Sequence, residues 1–205
     1  MNELTAFVLA GGKSTRMGQD KALLELDGET LLVRVLKLAR LVAPQVRIIG
    51  DAKRFAPWGD VVEDIYPEHG PLGGIHAALT GTRTDLNLVL PVDMPFLDRA
   101  FLEFLIQKAA AGSAVVTVPR AGGRLHPLCA TYRKSFAEIA KRSLESDRNR
   151  IDALFDQVET RVIEEDELRQ HGFAPWLFRN VNTPQDWRDV QGMDPRKRGS
   201  TPHVS

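Results

Sequence analysis

The residues able to do chemistry are concentrated between Phe7 and Leu26, FVLAGGKSTRMGQDKALLEL. A short apolar run, Phe7-Val8-Leu9, gives way to Gly11, Gly12 and Gly18 interleaved with Lys13, Arg16 and Lys21, and Asp20 stands beside the last lysine. Small residues let a backbone approach a ligand, and consecutive unhindered N–H groups form a concavity suited to phosphate oxygens. The three cations fall within nine residues and supply the charge a polyphosphate needs. These types and spacings predict a nucleotide triphosphate site at the end of a first β-strand. Two aspartates follow short apolar runs in the same way, Asp64 after Val61-Val62 and Asp93 after Leu86–Leu90.

The elements that must position these groups alternate along the chain. Leu4–Leu9 reads as the first strand, and Asp27-Gly28 as a turn. Thr30 caps a helix carrying Leu31, Leu32, Val35, Leu36, Ala39 and Val42 at helical spacing, ended by Pro44. Val46–Ile49 and Val61-Val62 follow as strands, with an irregular piece from Ala52 to Gly59 between them. Pro67 to Gly74 reads as a second glycine- and proline-rich loop, with a helix starting at Ile75. Leu86–Leu90 has the nearly continuous apolar character of a buried parallel strand. It ends in Pro91-Val92-Asp93-Met94-Pro95. Beyond it come a helix from Arg99 to Ala111, a strand at Ala114–Val118 and extended chain over Arg124–Tyr132. Then follow a helix near Lys134–Ser143, a short helix at Ile151–Phe155, a strand at Thr160–Ile163 and a helix start at Thr183-Pro184. This alternation predicts an α/β fold of three α/β/α layers, Rossmann-like, with a mostly parallel central sheet. In such sheets ligands bind beyond the carboxyl ends of the strands. The glycine-rich loop, Asp64 and Asp93 all fall there.

The bulk properties permit this reading. The chain has 205 residues, 43% hydrophobic and 26% charged, with 27 basic and 27 acidic side chains. This suits one domain over residues 1–191 and a tail over 192–205, GMDPRKRGSTPHVS, with too little apolar surface to order itself. Zero net charge argues against broad capture of nucleic acid or an anionic membrane, while leaving room for a local basic pocket. No run has the length of a membrane span and the N-terminus lacks signal-peptide character, so a cytoplasmic location is expected. Cys129 is the single cysteine, excluding an intrachain disulfide or a cysteine zinc cluster. Its apolar neighbours mark it as a core residue.

The stretch LAGGKSTRMGQDK, Leu9 to Lys21, resembles the signature loop of nucleotidyltransferases with a GT-A-like Rossmann fold. Within that group the chain is most similar to the molybdenum cofactor guanylyltransferases. The resemblance also rests on GPLGG at Gly70–Gly74, LPVDMP at Leu90–Pro95, HPLCATY at His126–Tyr132 and FRNVNTPQDW at Phe178–Trp187, in the family's order. Sugar-nucleotide and cytidylyl enzymes share the first block, and the last two favour the molybdopterin branch. A related cytidylyltransferase branch typically has alanine at the position of Gly11, so LAGG favours the guanine enzyme.

The resemblance implies transfer of GMP from GTP to Mo-molybdopterin, with release of pyrophosphate and with Mg²⁺. It implies Asp93 as metal ligand and Arg16 and Lys21 as catalytic cations. Leu9, Ala10, Gly11, Lys21, Asp64 and Asp93 are the implied nucleotide contacts, and His126, Asn180 and Asn182 match blocks on the acceptor side. Some family members carry asparagine where this chain has Gly50, so a base contact from that side chain is absent here. An unstable acceptor also implies transient contact with molybdopterin-delivering or molybdoenzyme-maturation proteins.

From the residues alone the alternatives stay open. A Gly-Gly followed by basic residues also makes an ordinary strand–helix turn, and Asp93 between prolines is also a turn former. Asp64 also reads as a solvated loop carboxylate, and His126 as a packed strand histidine. Asn180 and Asn182 also satisfy loop backbone before the Thr183 cap. Arg148 and Arg150 read either as bordering the acceptor site or as a solvated helix face. The competing functions are another nucleotidyltransferase, acting on molybdopterin with CTP or on a sugar or alcohol phosphate, and a non-catalytic nucleotide-binding module.

Overall fold

The computed structural model describes residues 4–11 and 20–192. Arg16 and the tail from 193 onward lie outside the described residues. The elements in order are β1 (Leu4–Leu9), β2 (Glu25–Leu26), β3 (Glu29–Thr30), α1 (Leu31–Arg40), β4 (Gln45–Ile49), α2 (Ala52–Phe55) and β5 (Val61–Val62). They continue with α3 (Pro71–Gly81), β6 (Leu86–Pro91), α4 (Arg99–Ala110), β7 (Val116–Ala121), β8 (Arg124–Leu125) and β9 (Ala130–Arg133). The last are α5 (Phe136–Glu145), β10 (Thr160–Ile163), α6 (Glu165–Gln170) and α7 (Pro184–Gln191).

The main sheet has the order β10-β7-β9-β6-β1-β4-β5, with β8 hanging on β7. β1 pairs in parallel with both β4 and β6, β4 with β5, and β10 with β7. Only β9 and β8 run against their neighbours in this sheet, among the described residues. This is the mostly parallel three-layer α/β fold expected.

The continuous apolar runs have a simple cause: both faces of the central strands are covered. Side chains alternate along a strand, so Ala6 and Val8 join the core under α1 and α4, while Phe7 and Leu9 join the core under α3 and α5. Along β6, Leu88 and Leu90 face the first core and Val89 the second. A third, smaller core of Leu24, Leu26, Leu31, Phe96, Val181 and Val190 ties the segment after Asp20 to the C-terminal helix. No described helix is long and apolar enough to cross a membrane.

Local chemistry explains the boundaries. Thr30 Oγ1 accepts from Val33 N at 3.3 Å and starts α1. Asp27 and Gly28 take positive φ of 57° and 78°, the turn their types favour, and close the β2–β3 hairpin. Thr183 and Asp186 form a reciprocal capping box on α7, with Pro184 in its first turn.

Several local features differ from expectation, among them the strand expected at Ala114–Val118, which runs Val116–Ala121. Residues 52–59 are not irregular, because Asp51 caps α2 and a 3₁₀ turn, Ala56–Trp58, continues it. The helix expected from Ile75 begins four residues earlier: Gly70 adopts φ 64° and Pro71, lacking an N–H, suits the first helical position. Helix α6, with Glu165, Asp166 and Glu167 in its first turn, has too few apolar residues to be visible as a periodic pattern.

Candidate active site

Register brings the catalytic candidates to one edge. Leu9 lies opposite Ile49 on β4 and Pro91 on β6, and Ile49 lies opposite Val62 on β5. Gly11, Gly50, Asp64 and Asp93 therefore all lie within two residues of the carboxyl ends of four adjacent strands. Cross-links hold the ends level: Ala10 N and Gly11 N donate to Ile49 O at 3.0 and 3.2 Å, and Val92 N donates to Leu9 O at 3.3 Å. Those donors of Ala10 and Gly11 are thus committed to the sheet rather than free for phosphate.

Lys21 occupies the centre of this edge. Asp20 accepts from Ala22 N at 3.2 Å and caps the 3₁₀ turn Lys21–Leu23. From that turn Lys21 Nζ donates to Asn182 Oδ1 at 2.6 Å and lies 3.7 Å from Asp93 Oδ2. The Lys21 and Asp93 side chains are 20% and 21% exposed, reachable yet largely out of water. Burial pushes the Asp93 carboxyl above the usual carboxylate range, and the adjacent Lys21 ammonium pulls it back. The Asp93 backbone is held separately: its carbonyl accepts from Val181 N at 2.8 Å. The extended chain through Asn180 and Asn182 is thereby laid beside the β6 end. Asn180 Oδ1 is buried there with no hydrogen-bond partner among the described residues.

Asp64 packs against the first turn of α3. It accepts from Tyr66 N at 2.9 Å, and a Cβ built on Gly73 would come within 2.6 Å of both its carboxylate oxygens. The second glycine of this turn has a different job, because a Cβ on Gly74 would meet Ile49 Cγ2 at 2.7 Å. Burial raises the Asp64 carboxyl, opposed by the Tyr66 N–H and by His69 and His76. Gly50 is likewise constrained: its Cβ position is 2.8 Å from the ring of Phe55, so the fold has filled the space an asparagine would need. Gly11 is not. A Cβ there would meet nothing closer than Gly50 Cα at 3.5 Å, ordinary contact.

His126 is buried against the segment that leads to Asn180. It is 5% exposed, its Nε2 is 3.2 Å from the Ala121 carbonyl, and its ring stacks on Phe178 at 4.7 Å. Burial pushes its pKa down, opposed by the Ala121 carbonyl. Phe178 is two residues before Asn180, so this stack joins the His126 block to the asparagine block. Cys129 is fully buried, and burial raises its thiol pKa, as a core residue requires.

A cationic turn between a largely buried aspartate and an exposed amide, at the carboxyl edge of a doubly covered sheet, is a place for phosphate chemistry. The family model described as "MobA-like NTP transferase domain" matches residues 6–162. The chain belongs to this family. Among relatives of this MobA-like transferase, one from Pelotomaculum thermopropionicum named "Probable molybdenum cofactor guanylyltransferase" is 35% identical over 188 residues, 91% of each chain. A "Molybdenum cofactor guanylyltransferase" from Desulfosudis oleivorans is 31% identical, over 91% of this chain and 93% of its own. Among solved structures, molybdopterin-guanine dinucleotide biosynthesis protein A from Archaeoglobus fulgidus superposes with a TM-score of 0.81 at 25% identity, covering 91% of this chain and 96% of that one.

In this MobA-like transferase the structure brings Gly11, Lys21, Asp64, Asp93 and Asn182 to one edge, while His126 is buried and reaches the asparagine block through Phe178. Three residues carry contacts that their type and spacing do not reveal. Gly73 falls within the expected loop, although Pro71 two residues earlier is a helix-start signal. Phe178 opens the FRNVNTPQDW block, but nothing in its type marks it as the partner of His126. Arg54, paired with Asp20, falls in the piece expected to be irregular; the Asp51 cap before it is the available cue.

Proposed function

We propose that this MobA-like transferase moves GMP from GTP to the terminal phosphate of Mo-molybdopterin, forming the guanine dinucleotide of the cofactor and releasing pyrophosphate. The observation that carries this reading is the Lys21 ammonium held between Asp93 and Asn182, one from each side of the reaction. An oxygen of the acceptor phosphate attacks the α-phosphorus of the nucleotide, and the bond to the bridging oxygen of the β-phosphate breaks. Two anionic groups must be held together in line, so positioning and charge neutralisation supply the catalysis. Lys21 leaves Asp93 for phosphate oxygens of the nucleotide, and Arg16 adds a second cation. Asp64 faces the nucleoside, with Leu9, Ala10 and Gly11 forming the floor beneath it.

The residues suit Mg²⁺. This ion takes one or two carboxylates and completes its shell with water and substrate phosphates. Among the described residues no group of three or more metal-binding side chains occurs. Asp93 offers a hard carboxylate whose neighbour is a displaceable ammonium, and Asn180 Oδ1 is an uncommitted oxygen on the adjoining extended chain, among the described residues. When bound, the ion neutralises phosphate charge at Asp93.

Asn180 and Asn182 contact the acceptor, and His126 sets their segment through Phe178. The base preference is supported by Gly11: the fold has room for an alanine there, so the glycine leaves space to the ligand. The experiment is to incubate the protein with molybdate-loaded molybdopterin, Mg²⁺ and each NTP in turn, and to measure pyrophosphate. Release with GTP is the expected result. Release with CTP instead assigns the cytidylyl reaction, and binding without release assigns a nucleotide-binding module.

A further inference from the structure

We infer that Arg54 is a positioning residue for Lys21, acting through Asp20. The two oxygens of the Asp20 carboxylate have separate partners: Oδ1 accepts from Ala22 N at 3.2 Å, and Oδ2 accepts from Arg54 Nη2. The first contact shapes the turn that begins with Lys21; the second ties that turn to α2, across the site from Asp93. Arg54 has a firm base. Lys53 N donates to Asp51 Oδ1 at 2.8 Å and Ala52 N to Glu63 Oε1 at 3.1 Å, so the first two amides of the short helix are held. The Arg54 guanidinium lies over the Phe55 ring at 5.1 Å, and Phe55 is 1% exposed and packed on Gly50.

The Lys21 turn therefore spans the opening. On the β4 side it is held by Arg54 through Asp20, and on the β6 side Lys21 reaches Asp93 and Asn182. An ammonium on a flexible four-carbon stem acts well only if its backbone is placed. Asp20 is 15% exposed while Arg54 is 48% exposed, so the pair buries the end that shapes the turn and leaves the other wet. An ion pair half in water contributes little to global stability. Its effect falls instead on where Lys21 points.

This inference rests on the nucleotide-transfer reading, and its test separates the two. Arg54→Met and Arg54→Lys are compared with the unsubstituted protein, each also combined with Lys21→Ala, using whichever NTP the unsubstituted protein turns over. Arg54→Met is expected to lower kcat/KM about tenfold, Arg54→Lys to recover most of it, and the loss to shrink below about twofold once Lys21 is replaced by alanine, since coupled residues are non-additive. The melting temperature is expected to stay unchanged, while hydrogen exchange of the amides of Ala22 and Leu24 quickens in Arg54→Met. A loss of equal size with Lys21 present and with Lys21→Ala in place, or no loss at all, overturns the positioning role. If no NTP is turned over, the transfer reading fails, and the exchange rates alone decide: unchanged exchange at Ala22 overturns the inference.

Discussion

Lys21 and Asn182, 161 residues apart, are joined by a 2.6 Å hydrogen bond from ammonium to amide oxygen. The bond links the glycine-rich basic stretch to the C-terminal asparagine block, and Asp93 sits at its side. Removing the cation is expected to be the most damaging single change at this edge. Lys21→Ala should lower kcat/KM by about 10²–10³, or about 2.7–4 kcal/mol of transition-state stabilisation. Asn182→Ala should act more on the KM of the molybdopterin acceptor than on that of the nucleotide. Steady-state kinetics with each substrate varied in turn measures both.

Asp93→Asn should abolish the divalent-metal dependence and most activity without unfolding the protein. The reason is that the fold uses the Asp93 backbone, whose carbonyl accepts from Val181 N at 2.8 Å, rather than its carboxylate. Titrating Mg²⁺ into the assay and following thermal unfolding separates the two effects. Chelation of the metal in the unsubstituted protein should reproduce the catalytic loss.

Two glycine substitutions should behave in opposite ways. Gly73→Ala drives a methyl to within 2.6 Å of the Asp64 oxygens and must displace them. Overpacking of this kind costs about 1–3 kcal/mol, and a weaker affinity for the nucleotide should accompany it. Gly11→Ala meets only ordinary contacts at 3.5 Å or more. It should leave the melting temperature unchanged and shift the ratio of GTP to CTP use toward CTP. Calorimetric binding and competition between the two nucleotides measure this.

Acid should weaken the fold through two buried histidines. Burial lowers the pKa of both His126 and His76 from the ordinary 6.5. Below pH 6.5 the unfolded chain takes up protons that the folded chain still refuses, so stability falls as pH drops toward the lowered values. The raised Asp64 and Asp93 carboxyls act with the opposite sign, above the ordinary 3.8. Urea midpoints measured from about pH 7.5 down to about pH 5.5 should decline, and His126→Gln should flatten that decline.

Much of this was legible in the chain. Apolar runs such as Leu86–Leu90, the Thr30 and Thr183 caps and the Asp27-Gly28 turn specify elements through local propensity and side-chain period, which act over a few residues. Because ligands of such sheets gather at strand ends, the places of Gly11, Asp64 and Asp93 in those runs already predicted one shared edge. What local rules cannot supply is the pairing of distant residues. That Lys21 bonds Asn182, that Gly73 exists to seat Asp64, that His126 turns inward onto Phe178 and that Arg54 holds Asp20 depend on strand register and on which helix packs where. Those are decided by burial of the two sheet faces, a sum over the whole chain. Residue type and spacing were enough to identify phosphate chemistry; only the packed sheet determined which side chains meet to carry it out.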